Sequence, residues 1–232
     1  MPPVLERAGI ERHISRQFPV DDRLWMVIQA SQVLRADVCA SSAQASARLI
    51  IERQIQQMTR LVDDLLDAYR IRTGKLRLER DRIDLCHTVA LAVQAAGFVM
   101  QQRTHRVTLS LPECELWLTA DPLRLEQVFV NLLTNAAKYT AAGGDVSVSV
   151  QRQGGEAIVR ILDTGIGIAA DVLPHVFDLF LQVESSSRNQ GLGLGLSLVR
   201  SLVESHGGCV TAASAGLGRG SEFTVRLPLL TP

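Results

Sequence analysis

Arg124-Leu-Glu-Gln-Val-Phe-Val-Asn-Leu-Leu-Thr-Asn-Ala-Ala-Lys-Tyr-Thr140 is the stretch on which the fold turns. Asp121 and Pro122 just ahead of it suit a helix entry: an acceptor side chain for the first free N–H groups, then a proline whose missing N–H costs nothing in the first turn. Leu125, Val128, Phe129, Leu132 and Ala136 recur at helical spacing and form one apolar stripe. Asn131, Asn135 and Lys138 are four and then three residues apart, so they stack on the neighbouring face. Asparagine competes with the helix backbone for hydrogen bonds and is a poor mid-helix residue. Two of them beside a core stripe are either solvated side chains on an exposed face, or a polar face offering oxygen ligands to a hard cation with an ammonium alongside for phosphate.

Working outward, the 232 residues suit one large domain or two modest ones. The 24 Lys and Arg balance the 24 Asp and Glu, so charge makes no case for nucleic acid or for contact with an anionic membrane. Cys39, Cys86, Cys114 and Cys209 are scattered and form no CxxC pair, which points to neither zinc nor redox chemistry and fits a reducing, cytoplasmic setting. No apolar run approaches the length of a membrane span, so any sensor or anchor is expected outside this chain.

Residues 1–20 carry Pro2, Pro3 and Pro19 and give no clear pattern. From Asp21-Asp22 a helix is predicted, and after a connection near 37–42 a second one. Ile51, Ile55, Met58, Val62, Leu65 and Tyr69 are spaced four, three, four, three, four, a heptad seam that implies close helix packing. A hairpin over 21–74 buries little alone, so a second copy completing a four-helix bundle is expected, and with it a homodimer; the alternative is a hairpin packed on its own second domain. Residues 75–84 read as a linker running into a strand. Residues 85–232 alternate helical and strand patterns: a helix over 87–102, strands over 107–111 and 115–118, the asparagine helix, a hairpin over 145–162, a short helix over 172–180, a longer one over 194–206 and closing strands over 209–213 and 223–227. Antiparallel strands under interspersed helices predict an α+β chain: a helical hairpin followed by an α/β sandwich with one sheet.

Two glycine motifs carry chemistry. Asp163-Thr-Gly-Ile-Gly-Ile168 follows a predicted strand, so Asp163 can present a carboxylate to a pocket while Gly165 and Gly167 admit close backbone approach. An ionised carboxylate only accepts hydrogen bonds and would suit an exocyclic amine such as adenine's; the plainer alternative is a capping Asp in a turn. Gln190-Gly-Leu-Gly-Leu-Gly-Leu196 precedes a helix, and glycines at 191, 193 and 195 let the backbone bend around an anion at the helix N-terminus. It is neither a dinucleotide fingerprint, lacking the βαβ setting, nor a P-loop, lacking Gly-Lys-Ser/Thr. The polar, serine-rich 181–189 has the composition of a lid.

These stretches stand in a telling order. Asn131–Thr140, Asp163–Ile168, Val176–Phe180, Gly191–Gly195 and Gly218-Arg-Gly-Ser-Glu-Phe223 resemble the N, G1, F, G2 and terminal boxes of the ATP-binding domain of bacterial sensor histidine kinases, a Bergerat-fold domain. Ile51-Glu-Arg-Gln54 through Thr59-Arg-Leu-Val-Asp-Asp-Leu-Leu-Asp67, with Gly74-Lys75, resembles the second helix of that family's dimerisation and phosphoacceptor domain. The resemblance implies Mg²⁺ on Asn135 with Asn131 on the same face, Lys138 at phosphate and Tyr139 beside the adenine. It implies Asp163 on the adenine amine, with Gly165 and Gly167 shaping the pocket and Ile168 and Phe180 among the nucleotide-binding residues. The lid backbone of Gly191, Gly193 and Gly195, with Leu192, Leu194 and Leu196 each following one of them, would close on the phosphates.

The implied activity is ATP-dependent phosphoryl transfer to a histidine in a two-component phosphorelay, with a response-regulator receiver domain as partner. One departure stands out. The family's acceptor histidine, followed by an acid, falls near Phe18-Pro19, and no His-Glu or His-Asp pair occurs in the chain. His87, His105, His175 and His206 lie outside the hairpin, which leaves His13, followed by Ile14, as candidate acceptor. The alternative is a degenerate kinase: a dimeric ATP-binding signalling module that does not phosphorylate itself. A kinase acting on another chain's serine fits less well, because the hairpin is intact.

Overall fold

The computed structural model describes residues 76–179, 181 and 193–230, together with Ile51, Ile55, Leu66, Asp67 and Arg70, each in helical conformation. The hairpin expected over 21–74, its seam and its bundle, and residues 1–20 with His13, lie outside the described residues apart from those five positions. Phe180, Gly191 and Leu192 also lie outside them. The chain divides into two units, Met1–Leu66 and Asp67–Pro232, and the elements below belong to the second.

Period-two alternation builds the sheet. In β4 (Asp145–Gln153), Val146, Val148 and Val150 are buried, while Ser147 and Ser149 between them are half-buried. Gly154-Gly155 turns the chain into β5 (Glu156–Asp163), whose Ala157, Val159 and Ile161 face the same side. With β2 (Arg106–Ser110), β6 (Cys209–Ala213) and β7 (Ser221–Pro228), the order is β2-β4-β5-β7-β6.

Two features depart from the sequence reading. β2 runs parallel to β4, whereas only antiparallel neighbours were expected. The chain leaves β2 and crosses through a helix before returning as β4, which is the connection a parallel pair requires. β3 (Trp117–Ala120) does not join this sheet; it pairs with β1 (Asp81–Asp84), within the stretch read as a linker, in a separate two-stranded ribbon.

Three helices cover the valine face: α1 (Leu85–Gln102), α2 (Pro122–Tyr139) and α3 (Gly195–Ser205), with α2 packed on both of the others. The result is a mixed α/β sandwich, as the alternating pattern of 85–232 predicts. All five stripe residues of α2 are buried, and Leu133 and Ala137 widen the stripe. The short helix expected over 172–180 is instead a single 3-10 turn at Leu173–His175. Pro174 has no N–H to give a carbonyl one turn back, and the chain there uses tighter bonds such as His175 N–H to Val172 O at 2.9 Å.

Both ends of α2 are tied down. Asp121 caps it, accepting the Arg124 N–H at 3.1 Å. At the other end Arg103 Nη1 donates to Lys138 O at 3.0 Å and His105 Nε2 donates to Ala137 O at 3.0 Å, satisfying terminal carbonyls that the helix leaves open. The buried His206, at the end of α3, donates from Nδ1 to Leu202 O at 2.7 Å and accepts the Asp121 N–H on Nε2 at 3.0 Å. That arrangement requires the neutral ring.

Burial, reinforced by the Arg80 cation, pushes the His206 imidazole below its ordinary 6.5, against the opposing pull of Leu202 O and the Asp121 carboxylate. The unfolded chain therefore takes up this proton at a higher pH than the folded one. The contribution to stability is complete above pH 6.5 and is lost as pH falls through the folded value. Urea unfolding at about pH 7.5 and about pH 5.5 is expected to show a smaller pH-dependent loss in His206→Asn than in the parent chain. Equal losses in both would remove His206 from this role.

Candidate functional site

Strand register places the central carboxylate. Asp163 is the last inward residue of β5, and its partner across the ladder is Ser221, the first inward residue of β7. Asp163 is 4% exposed. Its Oδ1 accepts the Gly165 N–H at 2.8 Å and its Oδ2 accepts the Ser221 hydroxyl at 2.5 Å. Each carboxylate oxygen keeps acceptor capacity beyond its one bond.

Asp163 lines a cavity between the sheet end and α2, with Asn135 and Tyr139 on the helix side. Ile168, Val176 and Phe223 contribute to its apolar wall. An apolar slot with one carboxylate at its base suits a flat, largely apolar group that carries N–H donors. Gly167, also on the wall, sits at φ 69°, and a Cβ there would lie 2.1 Å from Gly216 O. Only glycine keeps that strand-end loop against the 214–220 turn.

The residues singled out from sequence divide in two. Asn135, Tyr139, Asp163, Gly167, Ile168 and Leu196 line one cavity. Gly165 supports it from beneath through Asp163, and the Ile166 N–H is bonded to Tyr139 O at 3.0 Å, which fastens the glycine loop to the end of α2. Asn131, Lys138, Gly193, Leu194 and Gly195 do not line it. Among the described residues the buried Asn131 Nδ2 has no partner. Lys138 Nζ donates to the Tyr139 hydroxyl at 2.9 Å and lies 4.5 Å from the centre of that ring. Leu194 is buried, and its carbonyl accepts from Ser197 Oγ and the Leu198 N–H.

Among the described residues no side chain caps the N-terminus of α3, and the N–H groups of a helix's first turn suit an anion. Among the described residues no cluster of His, Cys, Asp or Glu is arranged to hold a metal. The Asn135 amide on the cavity wall offers a neutral oxygen, which suits a cation that takes most of its ligands from phosphate and water. Ser221 received no role from sequence; its signal was the Gly220-Ser221 step inside the terminal box, which does not reveal the register partner. Phe177 is buried and meets Phe223 edge-on at 6.2 Å.

Comparison with known proteins adds a family to this geometry. Residues 120–231 match the family described as histidine kinase-, DNA gyrase B- and HSP90-like ATPase. The chain is similar to the sensor histidine kinase TrcS of Mycobacterium tuberculosis, 38% identical over 201 residues, covering 84% of this chain and 38% of that protein. It is similar to the circadian input-output histidine kinase CikA of Synechococcus elongatus, 38% identical over 183 residues, covering 75% of this chain and 23% of the relative. Thus it spans well under half the length of these relatives.

Among solved structures, the Acinetobacter baumannii histidine kinase AdeS superposes with a TM-score of 0.70 at 22% identity, over 91% of this chain and 98% of that one, a likeness of fold. The mycobacterial sensor histidine kinase MprB superposes with a TM-score of 0.58 at 26% identity, over 66% of this chain and 100% of that one.

Proposed function

Through residues 120–231 the chain belongs to the histidine kinase-like ATPase family, and from that premise we propose that it binds Mg-ATP and passes the γ-phosphoryl group to a histidine in a two-component phosphorelay. The observation that carries this reading is the buried Asp163 carboxylate, held by Gly165 and Ser221 at the base of an apolar cavity beside Asn135. Asp163 accepts the adenine amine, and the apolar wall with Tyr139 flanks the ring. Asn135, joined by Asn131 after a side-chain turn, supplies oxygen to Mg²⁺. Lys138, released from the Tyr139 hydroxyl, meets phosphate, together with the first N–H groups of α3 and the glycines ahead of it. Bound Mg-ATP supplies the transferable phosphoryl group and neutralises its charge; the chain's own residues contribute positioning and dipoles.

The rest of the reading follows the sequence: a homodimer through the 21–74 hairpin, a receiver domain as phosphoryl partner, and His13 as the acceptor to test first. No helix among the described residues is long and apolar enough to cross a membrane. Incubation with γ-labelled ATP and Mg²⁺, followed by acid and base treatment, tests the activity. Label that is lost in acid and kept in base is expected, and its disappearance in His13→Ala would place the acceptor. Nucleotide binding without any acid-labile label would overturn the transfer and leave a nucleotide-binding signalling module. That outcome has its own motive in the Phe18-Pro19 pair where the family's acceptor falls.

A further inference from the structure

Arg124 sits where a helix least favours a cation. It is the third residue after the Asp121 cap of α2, next to the positive end of the helix dipole, and its side chain is only 24% exposed. Its partner is far away in sequence. Arg124 Nη1 lies 2.5 Å from Oδ2 of Asp67, a carboxylate whose residue is 4% exposed. Gln127, one turn along α2, donates to the same oxygen at 3.3 Å and accepts from Arg124 Nη1 at 2.9 Å. Arg70 stands 3.9 Å from the other Asp67 oxygen. A carboxylate this buried is tolerated only when paired, and removing its partner leaves an uncompensated charge.

Two more bonds meet at the same end of α2. The Glu79 N–H donates to Asp121 Oδ2 at 3.0 Å, and the Asp121 N–H donates to His206 on the last turn of α3. The residues leading into the sandwich, the helix bearing Asn135, and the helix that opens after the glycines are therefore pinned together. The pin lies at the ends of both helices away from the cavity. Asn135 is eleven residues beyond Arg124, about 16 Å of helix rise.

We propose that Asp67 is a positioning residue for the nucleotide site. Through Arg124 and Gln127 it sets the axial and rotational seat of α2, so a shift of the helical residues around Asp67 and Arg70 is read out as a change in nucleotide affinity. Helices in a packed layer move as rigid units, which lets a displacement at one end reach the other. The proposal rests on the nucleotide-binding reading only for its ligand.

The test uses the full chain with Asp67→Asn, Arg124→Gln, the double variant and Arg124→Lys. Calorimetry measures Mg-ATP affinity, and amide hydrogen exchange over 123–135 is followed without nucleotide, with urea unfolding as a measure of overall stability. Each of the first two variants is expected to weaken binding about 2- to 30-fold and to speed exchange along α2. The double variant should be no worse than either single one, and Arg124→Lys should keep most of the affinity. If Arg124→Gln does not fold, Asp67→Asn and Arg124→Lys carry the comparison. Unchanged affinity and exchange, effects that simply add, or losses that track overall stability alone would overturn the proposal. A parent chain that binds no nucleotide would defeat the nucleotide reading instead, and the exchange data would then decide the coupling by themselves.

Discussion

Replacing Asp163 by asparagine is expected to weaken Mg-ATP binding by roughly 10- to 100-fold while leaving the fold intact, because a hydrogen bond to a charged group is worth about 1.5–3 kcal/mol. The substitution is close in shape, so its effect isolates the charge and the acceptor pattern. In the parent chain both carboxylate oxygens accept, one from the Gly165 N–H and one from the Ser221 hydroxyl, and both can still accept from a ligand. An amide has one oxygen and one NH₂ group. If its oxygen stays on the Gly165 N–H, the NH₂ lies on the Ser221 side. The hydroxyl can rotate to accept from it, but the second N–H then points into the cavity and meets the ligand's own donor. If the amide flips, the NH₂ opposes the Gly165 N–H. Either way a donor faces a donor. Calorimetry on the two proteins, with urea unfolding to confirm equal stability, decides the matter; equal affinities would remove Asp163 from the binding site.

Gly220→Ala is expected to destabilise the sandwich by about 2–5 kcal/mol, the combined scale of a left-handed side chain and of an overpacked contact. Gly220 has φ 69°, and a Cβ there would lie 2.0 Å from the Asp163 carbonyl oxygen, a backbone atom that cannot swing aside. The Gly220 N–H also donates to Gly165 O at 3.1 Å, and its carbonyl accepts from Ser214 Oγ at 2.7 Å. Relief of the clash must push β7 away from the end of β5, which separates Ser221 from Asp163 and opens the base of the cavity. Nucleotide affinity should fall with stability. Gly97→Ala is the matched control: nothing lies within 4 Å of its added Cβ, and helical alanine is favoured over glycine by about 0.5–1 kcal/mol. Urea midpoints that move little in Gly220→Ala would contradict the close approach at this turn.

The asparagine helix was legible because its determinants are local. The Asp121 cap, the proline entry and the stripe from Leu125 to Ala136 act over one to four residues, and each does in the structure what its chemistry predicts. The valine alternation of β4 was legible for the same reason, and with it the position of Asp163 at the end of the next strand. The 3-10 turn at Leu173–His175 was misread as a helix because its apolar spacing is ambiguous over so few residues, although Pro174 was the warning.

By itself, then, the sequence determined the elements, the sandwich class, and the residue types that could meet a nucleotide, since spacing along one chain sets which side chains share a face. Only the tertiary structure decided which of them meet. It put Ser221 on Asp163, 58 residues away, through the register of β5 with β7. It gave Asp67 to Arg124 and His206 to Asp121, it turned β2 parallel to β4, and it left Asn131 and Lys138 off the cavity wall that Asn135 lines. The physical reason is the same in each case. Pairing across a sheet or between helix ends is chosen by the packing of the whole core, and no periodicity within one segment records its distant partner.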